Sequence, residues 1–380
     1  MSTLLKPTGT PAERFTSRNP DDFPIPSTAQ EDWRFTPLAR IREFFEPFEP
    51  DRAAAPKVEA PDSVTVAPAR MDDPAVGRVL QPADRVSALA FSGSQGALVV
   101  TIPAGEQVDA PITIHAQGDG SRRYAHVVVD AGHNSSATVV LHHTGSAKVA
   151  ANVEIVVGDG ARLTVVSAQE WEPDAVHLAA HAALVGRDAT YRHVNVNLGG
   201  GVVRIVPTVR FGAPGGTAQL LGVGFAGDGQ HFESRLFVDH GEPNCTSDVL
   251  YKNALRGESA RTVWIGDVRI RPSALGTSTY EMNRNLLLSD GARADSVPNL
   301  EIETGQITGA GHASATGRFD DLQLFYLQSR GIPEDEARRL VVRGFFADVV
   351  ERIGLPELQR QIMTTVEARL GFTPEPENED

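Results

Sequence analysis

Cysteine is almost absent from this sequence, since Cys245 is the only one among 380 residues. A single cysteine excludes an intrachain disulfide and a metal site built only from thiolates. Any metal chemistry in this chain therefore uses nitrogen and oxygen ligands, or takes sulfur from a partner. The acidic neighbours Glu242 and Asp248 would raise the pKa of the thiol, so we expect Cys245 to be a plain buried residue.

Clusters of basic residues and long apolar runs are missing as well. Acidic residues outnumber lysine and arginine by 49 to 35, which gives a formal net charge of −14. Without a basic patch, the chain has no positively charged surface that would bind the phosphates of a nucleic acid. No apolar run reaches the length of a membrane helix, and the amino terminus, MSTLLKPTGTPAERF, lacks the plan of a secretory signal. We therefore expect a soluble cytoplasmic protein that binds neither nucleic acid nor membrane.

What the chain does contain changes in character twice along its length. With 41% hydrophobic residues it can bury a sizeable core, and its length predicts roughly two or three structural units. Residues 1–88 are rich in proline and aspartate and predict a mostly helical or irregular region. Within it, Glu31–Phe45 places apolar side chains at helical spacing, and residues 52–68 have the composition of a linker. The apolar side chains are Trp33, Leu38, Ile41, Phe44 and Phe45.

Residues 89–317 predict a right-handed parallel β-helix. Short runs of Val, Ile, Leu and Thr are separated there by turns rich in Gly, Asp and Asn, and no window keeps a helical period for long. Segments such as IVVGDGARLTVV, from Ile155, and LLLSDGARADSVPNL, from Leu286, share an apolar triplet, a turn and a second strand. Such turns recur at intervals of roughly 26 to 31 residues, with one unclear interval at 269–279, and this period is typical of stacked coils. Asp-Gly pairs, which often close hairpins, leave a jelly roll as the alternative.

Residues 318–380 predict three amphipathic helices that end in a solvated acidic tail, PEPENED. Gly331 is a natural stop after the first helix, and Pro333 suits the start of the second. The first helix has Leu322, Phe325 and Tyr326 on one side. The predicted apolar faces of the other two are Ala337, Leu340, Val341, Phe345 and Val349, and Leu358, Ile362, Val366 and Leu370.

His312 is the first candidate for chemistry, in the segment GAGHASATGRF. A neutral imidazole is a common ligand for iron and zinc, and it accepts protons near neutral pH. The small residues around it would let a metal, a cluster or another backbone come close. The alternative is a structural histidine at a strand edge, among small residues that only satisfy tight corners.

Glu301 and Glu303 are the accessory candidates. They alternate with Leu300 and Ile302, so both carboxylates face the same way on a strand. Paired carboxylates bind metals or act as acid and base, and about half a coil separates them from His312, which would allow a shared surface. The alternative is a solvated polar face of the strand.

Four further histidines are expected to have structural roles. His142 and His143 are adjacent, so on a strand they point to opposite faces, one to the surface and the other to the core. His177 and His181 have a spacing of four, which on a helix would suit a metal site. Strand-like neighbours and the lack of a third ligand nearby favour the structural role for this pair.

A dense run of motifs extends from Asn283 to Phe345. It reads NRNLLLSDGARADSVPNLEIETGQITGAGHASATGRFDDLQLFYLQSRGIPEDEARRLVVRGF. The run resembles the carboxy-terminal signature of the SufB/SufD family of iron–sulfur cluster assembly proteins. In that family, a leucine triplet and a P-x-LEI strand lead to a histidine in a Gly/Ala segment, then to a helix with LFYL-x-SRGI. Upstream, KNALRGESARTVWIGDVRI resembles the family's β-helix, and EDWRFTPL resembles its amino-terminal E-x-WR-x-T segment.

Within this family, SufD members are the closer match. SufB members have a cysteine near the end of the β-helix and a glutamate after the histidine, whereas here Cys245 lies well upstream and Ala313 follows His312. SufD members have the histidine in an HGAT-like setting, to which HASAT, from His312 to Thr316, corresponds. Many of them also have a cysteine two residues before that histidine, where this chain has Ala310. His312 is therefore the remaining candidate cluster ligand here, and any sulfur would come from a partner.

The resemblance implies a noncatalytic scaffold subunit. In the family, SufD pairs with SufB through the ends of their β-helices, and each binds one SufC ATPase through its carboxy-terminal helices. In the family, SufC dimerisation driven by ATP opens the shared interface for a transient iron–sulfur cluster. By this resemblance, His312 is the metal ligand or proton acceptor on this side, while flavin binding and homodimer formation by the isolated chain stay open. The candidate SufC-docking contacts are Phe325, Tyr326, Arg330 and Phe345.

Two other functions remain as alternatives. One is a SufB-like scaffold that works as a homodimer, or a structural partner with no role in cluster assembly. The other is a carbohydrate-active β-helix enzyme, which would need clustered carboxylates in a groove, and for which only Glu301 and Glu303 qualify.

Overall fold

The computed structural model describes residues 14–51, 55–319 and 321–371. The predicted acidic tail and the start of the predicted linker lie outside these ranges. Within them the chain is mainly β and forms a parallel β-solenoid of about eight turns, with a few helices towards both ends. The predicted parallel β-helix is confirmed, and the jelly roll is excluded.

Sixteen strands lie in the described ranges. The first three are short: β1 is Lys57–Glu59, β2 is Thr65–Ala69 and β3 is Ala97–Ile102. Two long strands follow, β4 at Ile112–Ala131 and β5 at Ser136–Val157. The remaining strands are β6 Arg162–Trp171, β7 Val176–Val185, β8 Thr190–Asn197, β9 Val202–Phe211, β10 Thr217–Ala226, β11 His231–His240, β12 Thr246–Leu255, β13 Arg261–Ile270, β14 Ser278–Leu287, β15 Arg293–Ile302 and β16 Gly309–Arg318.

The helices of the described chain lie before and after these strands, except for one beside β3. The α-helices are α1 Leu38–Ile41, α2 Arg85–Gly93, α3 Asp321–Ser329, α4 Glu334–Ile353 and α5 Pro356–Leu370. Single turns of 3-10 helix are Pro20–Asp22, Glu31–Trp33 and Arg42–Phe44. The three helices predicted at the end of the chain are therefore present as α3, α4 and α5.

Each coil of the solenoid contributes one strand to each of two parallel sheets. The even-numbered strands from β6 to β16 pair in order along one sheet, and the odd-numbered strands from β7 to β15 pair along the other. We call these the even sheet and the odd sheet. The long strand β5 belongs to both, since its first half pairs with β6 and its second half with β7. Inward-facing residues of successive coils therefore stack in columns.

The coil length explains the repeat seen in the sequence. Side-chain hydrogen bonds join neighbouring strands of the even sheet at equivalent positions. The bonded residues are 27 residues apart between β8 and β10, 29 between β10 and β12, 32 between β12 and β14, and 31 between β14 and β16. The unclear interval at 269–279 falls in the longest of these coils, between β13 and β14. The extra residues there form the turn that precedes β14.

The Asp-Gly pairs at Asp159, Asp228 and Asp290 stand at coil corners between strands, and the pair at Asp119 lies within β4. Gly160, after Asp159, has φ +69° and joins β5 to β6, which run parallel. A positive φ suits glycine because it has no Cβ. The pair therefore turns the chain from one sheet to the other and does not reverse its direction within one sheet.

The ends of the chain cover the outer faces of the two sheets. On the even sheet, Val196 packs in one buried cluster with Phe346 of α4 and Ile362 of α5. On the odd sheet, Trp33 packs with Leu178 in a second cluster. Both sheets are thus buried on two sides, which accounts for the nearly continuous apolar runs in their strands.

The amino-terminal region is less helical than its spacing predicts. Glu31–Phe45 forms two 3-10 turns and the four-residue helix α1, while β1 and β2 pair antiparallel with β4 and β3. The apolar side chains that suggested a helix are nevertheless buried or half-buried. Their spacing reflects contact with the face of the odd sheet, which does not require a continuous helix.

A buried ion pair fastens this region to the odd sheet. Arg204 donates to Glu233 at 3.0 Å, and its guanidinium lies 4.1 Å from the centre of the Trp33 ring. Thr36 Oγ1 donates to the other oxygen of Glu233 at 2.8 Å. Burial alone would raise the pKa of Glu233, but Arg204 and a hydrogen bond from His231 outweigh it and lower that pKa to about 2. The carboxylate therefore stays charged and bonded to the segment that it holds.

Ala337 and Val349 of the predicted apolar face of α4 are buried, but the rest of the buried face differs from the predicted one. Val342 and Phe346 are buried, whereas Leu340 is exposed and Phe345 is half-buried. The helix packs on β10 and β12 and also on both neighbouring helices. Because three surfaces cover its apolar side chains, hydropathy spacing alone could not identify the face on the solenoid.

Candidate functional site at the open edge of the solenoid

The last coil leaves one edge of each sheet without a strand partner in the described ranges. β15 ends the odd sheet and β16 ends the even sheet. We call these two strands, Arg293–Ile302 and Gly309–Arg318, the open edge. Exposed strand edges present backbone N–H and C=O groups that can pair with another chain.

His312 lies on β16, directly beside Glu281 of β14. The column below it continues through Val249 and Leu220, which are core residues, so the imidazole faces the end of the core. Its side chain is 43% exposed, and Nδ1 lies 3.9 Å from Oε1 of Glu281. The only imidazole of the open edge is therefore accessible from outside and backed by a carboxyl group.

Glu281 is a functional candidate that the sequence motifs did not indicate. Its side chain is 0% exposed, and neither oxygen has a hydrogen-bond partner in the described part of the chain. Burial raises its pKa to about 8, and the neighbouring Asp267 carboxylate adds to the rise. Strand alternation in STYEMNRNLL and the coil length could have located this residue beneath His312, but only with the register known.

Glu301 and Glu303 are not brought together with His312. Leu300 packs against the inner core, so the next side chain, Glu301, lies on the outer face of the odd sheet. Glu303 follows the end of β15 and accepts a hydrogen bond from Arg269 Nε at 2.6 Å. Residues half a coil apart in the sequence, such as Glu301 and His312, thus lie on different sheets and on different faces.

The four other histidines considered from the sequence have the structural settings that it favours. His142 faces outward and contacts Glu170 at 2.7 Å, while His143 faces inward against Trp171. His177 and His181 lie on β7, a strand and not a helix, and both are buried. Burial lowers both of their pKa values. The described residues contain no group of three or more His, Cys, Asp or Glu side chains that could hold a metal ion.

A buried histidine inside the solenoid predicts that the free energy of unfolding depends on pH. His240 is fully buried, stacks on Phe211 and contacts Ser247, and burial lowers its pKa to about 4. Below its ordinary pKa the unfolded chain binds a proton that the folded chain does not, so stability falls as the pH falls. Relative to His240→Gln, we expect the wild type to lose about 2 kcal/mol more unfolding free energy between pH 7 and pH 5.

Urea denaturation of both proteins at the two pH values measures this difference. The same substitution at the exposed His133 is the matched control, because it removes an imidazole without changing the core. Equal pH dependence in the wild type and His240→Gln would contradict the prediction.

Cys245 is a buried residue at a coil corner, as expected. Its side chain is fully buried, and the sulfur contacts the carbonyl oxygens of Ala213 and Pro243. Burial raises the pKa of the thiol, which keeps it protonated and unreactive.

The predicted docking residues are split between two settings. On α3, Phe325 and Tyr326 are 68% and 55% exposed, and the Arg330 guanidinium lies 4.6 Å from the centre of the Tyr326 ring. We call Leu322, Phe325, Tyr326 and Arg330 the α3 surface. Phe345 is not part of it, because its ring lies against Lys252 of the solenoid and the buried cluster under α4.

No helix in the described ranges is long and apolar enough to cross a membrane. The fold and the site together define a parallel β-solenoid protein with a histidine on an open strand edge and an exposed apolar helix beyond it.

Comparison with known proteins identifies this class. The family model described as SUF system FeS cluster assembly, SufBD core domain, matches residues 113–345. An iron–sulfur cluster assembly SufBD family protein of Mycobacterium tuberculosis is 51% identical over 370 residues, which cover 95% of this chain and 93% of the relative. The chain therefore belongs to the SufBD family of iron–sulfur cluster assembly proteins.

Two members of this family from Mycobacterium leprae differ in their similarity to the chain. One is 49% identical over 368 residues, which cover 94% of both proteins. The other is 29% identical over 283 residues, which cover 72% of this chain but 32% of that relative. This chain is thus more similar to one of two distinct family members in a single organism.

Proposed function

We propose that this chain is a SufD-type scaffold subunit for iron–sulfur cluster assembly. It pairs with a SufB-type chain through the open edge, binds a SufC-type ATPase through its carboxy-terminal helices, and presents His312 to a nascent cluster. The observation that carries the proposal is the position of His312, half-exposed on a terminal strand whose outer side has no partner in the described ranges.

The open edge is built for close approach by another backbone. Gly309 and Gly317 have open space where a Cβ would stand, and most side chains of β16 are small. Ile302 on the adjacent strand is an exposed apolar side chain. Small residues and unpaired backbone groups favour strand pairing with a second solenoid over the binding of a small molecule in a closed pocket.

The chain supplies nitrogen to the cluster but no sulfur. Cys245 is buried at a corner of the solenoid, and its raised pKa disfavours the thiolate. The described residues form no complete metal site of their own. Cluster and sulfur are cargo of the assembly, so the thiolate ligands come from the partner, and the role of this chain is binding and positioning.

The SufD-type assignment rests on Ala313 after His312 and on the absence of a cysteine near the open edge. The presence of two distinct family members in one organism supports pairing between unlike chains. A SufB-like homodimer is the second candidate, because every copy has the same open edge and two copies can pair about a twofold axis. Family membership favours an assembly scaffold over the carbohydrate-active enzyme.

Co-expression with the SufB-type and SufC-type chains of the same genome tests this proposal. We expect the three chains to copurify, with a size that contains one copy of this chain per SufB-type chain and with bound iron. Purification of this chain as a homodimer that excludes the SufB-type chain would favour the second candidate. Failure of both partners to copurify would contradict the proposal.

A further inference from the structure

Glu281 takes no part in the side-chain hydrogen-bonding network beside it, within the described part of the chain. Two and four residues further along the same face of β14, Asn283 and Asn285 bond to each other and to Ser296 of the opposite sheet. Asn285 also bonds to Thr316 of β16. The Glu281 carboxyl, in contrast, is fully buried with both oxygens unbonded in the described part of the chain. A buried polar group without a partner destabilises the fold unless it binds something else.

The position of this carboxyl points to a ligand at the open edge. Nδ1 of His312 lies 3.9 Å from Oε1 of this carboxyl, and the imidazole is accessible from outside. Two ligands on one metal ion, each at about 2.1 Å, are about 3 to 3.5 Å apart, so a shift of less than about 1 Å would suffice. Imidazole and carboxylate together are typical ligands of ferrous iron in proteins.

We propose that Glu281 and His312 form a two-residue half-site that takes ferrous iron as cargo and is completed by ligands of the partner chain. This inference rests on the proposed function, because it assigns the chemistry of the same open edge. The described residues contain no third ligand nearby, so the half-site stays open on the side where a second solenoid would pair.

The opposite sheet leaves room for the carboxyl group. Gly266 of β13 faces it, and a Cβ at that position would lie 2.3 Å from Glu281 Oε2. Asp267, next to this glycine, already bonds to Arg14 and Asn299, so it contributes negative charge nearby without being an available ligand. The Glu281 carboxyl therefore occupies space that the missing side chain of Gly266 leaves free.

Metal titration of the full chain tests the half-site. The probes are Co²⁺ alone, whose visible absorption reports its ligands, and Fe²⁺ alone under argon against a competing chelator. We expect Glu281→Gln and His312→Ala each to weaken binding of both ions by about tenfold or more. Glu303→Gln is the matched control, since it neutralises a carboxylate of the last coil that lies on the other sheet, and it should bind as the wild type does.

Wild-type affinity in Glu281→Gln would overturn the inference. If this variant fails to fold, Glu281→Asp replaces it, because it keeps the carboxylate but withdraws it by one methylene. Weaker binding in Glu281→Asp supports the half-site, and unchanged binding overturns it. Copurification with the SufB-type and SufC-type chains should be unaffected by either variant. If the proposed function is wrong, the wild-type chain itself will not copurify with the two partners. If only this inference is wrong, the variant will still copurify and its metal affinity will be unchanged.

Discussion

Replacing His312 with alanine is expected to reduce cluster formation on the copurified complex by about tenfold or more. His312 is the only histidine on the open edge, and in the proposed assembly its removal leaves the partner's ligands without a counterpart from this side. The side chain is half-exposed on a terminal strand, so its loss should change the unfolding free energy by less than about 1 kcal/mol. The measurement is the rate of growth of cluster absorbance during anaerobic reconstitution.

His142→Ala is the matched control for this prediction. His142 is also partly exposed and also contacts a carboxylate, Glu170, but it lies near the other end of the solenoid. Cluster formation by this variant should equal that of the wild type. If a folded, partner-bound His312→Ala variant forms the cluster as fast as the wild type, His312 does not have the assigned role.

Replacing Phe325 and Tyr326 together with serine is expected to weaken binding of the SufC-type ATPase by about 100-fold or more. Exposed aromatic side chains next to an arginine are typical of interface residues that contribute about 2 kcal/mol or more each. Because both rings are exposed in the chain itself, their removal exposes little of the core and should leave the fold intact. Isothermal titration of the folded double variant with the ATPase measures the change.

Phe15→Ser is the matched control for the α3 surface. Phe15 is a similarly exposed aromatic residue, but it lies in the amino-terminal segment against Phe23. ATPase affinity should be unchanged in this variant. Equal affinity of the double variant and the wild type would show that the ATPase docks elsewhere. Phe345 would not be the alternative docking residue, because its ring already contacts Lys252.

The stacked coils could be predicted from the sequence because their repeat is set by local geometry. Each coil needs two strands and two corners, so equivalent turns recur at the coil length even though that length varies. The Asp-Gly signal misled toward hairpins, because a glycine with positive φ serves equally well at a coil corner. The closing helices were predictable for the same local reason, through caps and apolar spacing.

The carboxyl beneath His312 could not be predicted, because it depends on register between coils. Glu281 precedes His312 by a full coil, and a shift of one residue would turn the glutamate to the other face. Glu301 and Glu303 are nearer in sequence, yet they end on another sheet. The predictions of the buried face of α4 and of a continuous helix near Trp33 failed for a related reason. Both segments pack against surfaces formed by distant parts of the chain.

Hydrogen exchange of the copurified complex tests most directly whether the open edge is where the partner binds. Amides of β16 and β15 should exchange more slowly when the SufB-type chain is bound than in the isolated chain, because their outer groups become paired. Amides at the opposite end of the solenoid, in β3, should exchange equally in both states. Unchanged exchange in β15 and β16, with protection elsewhere, would contradict the account.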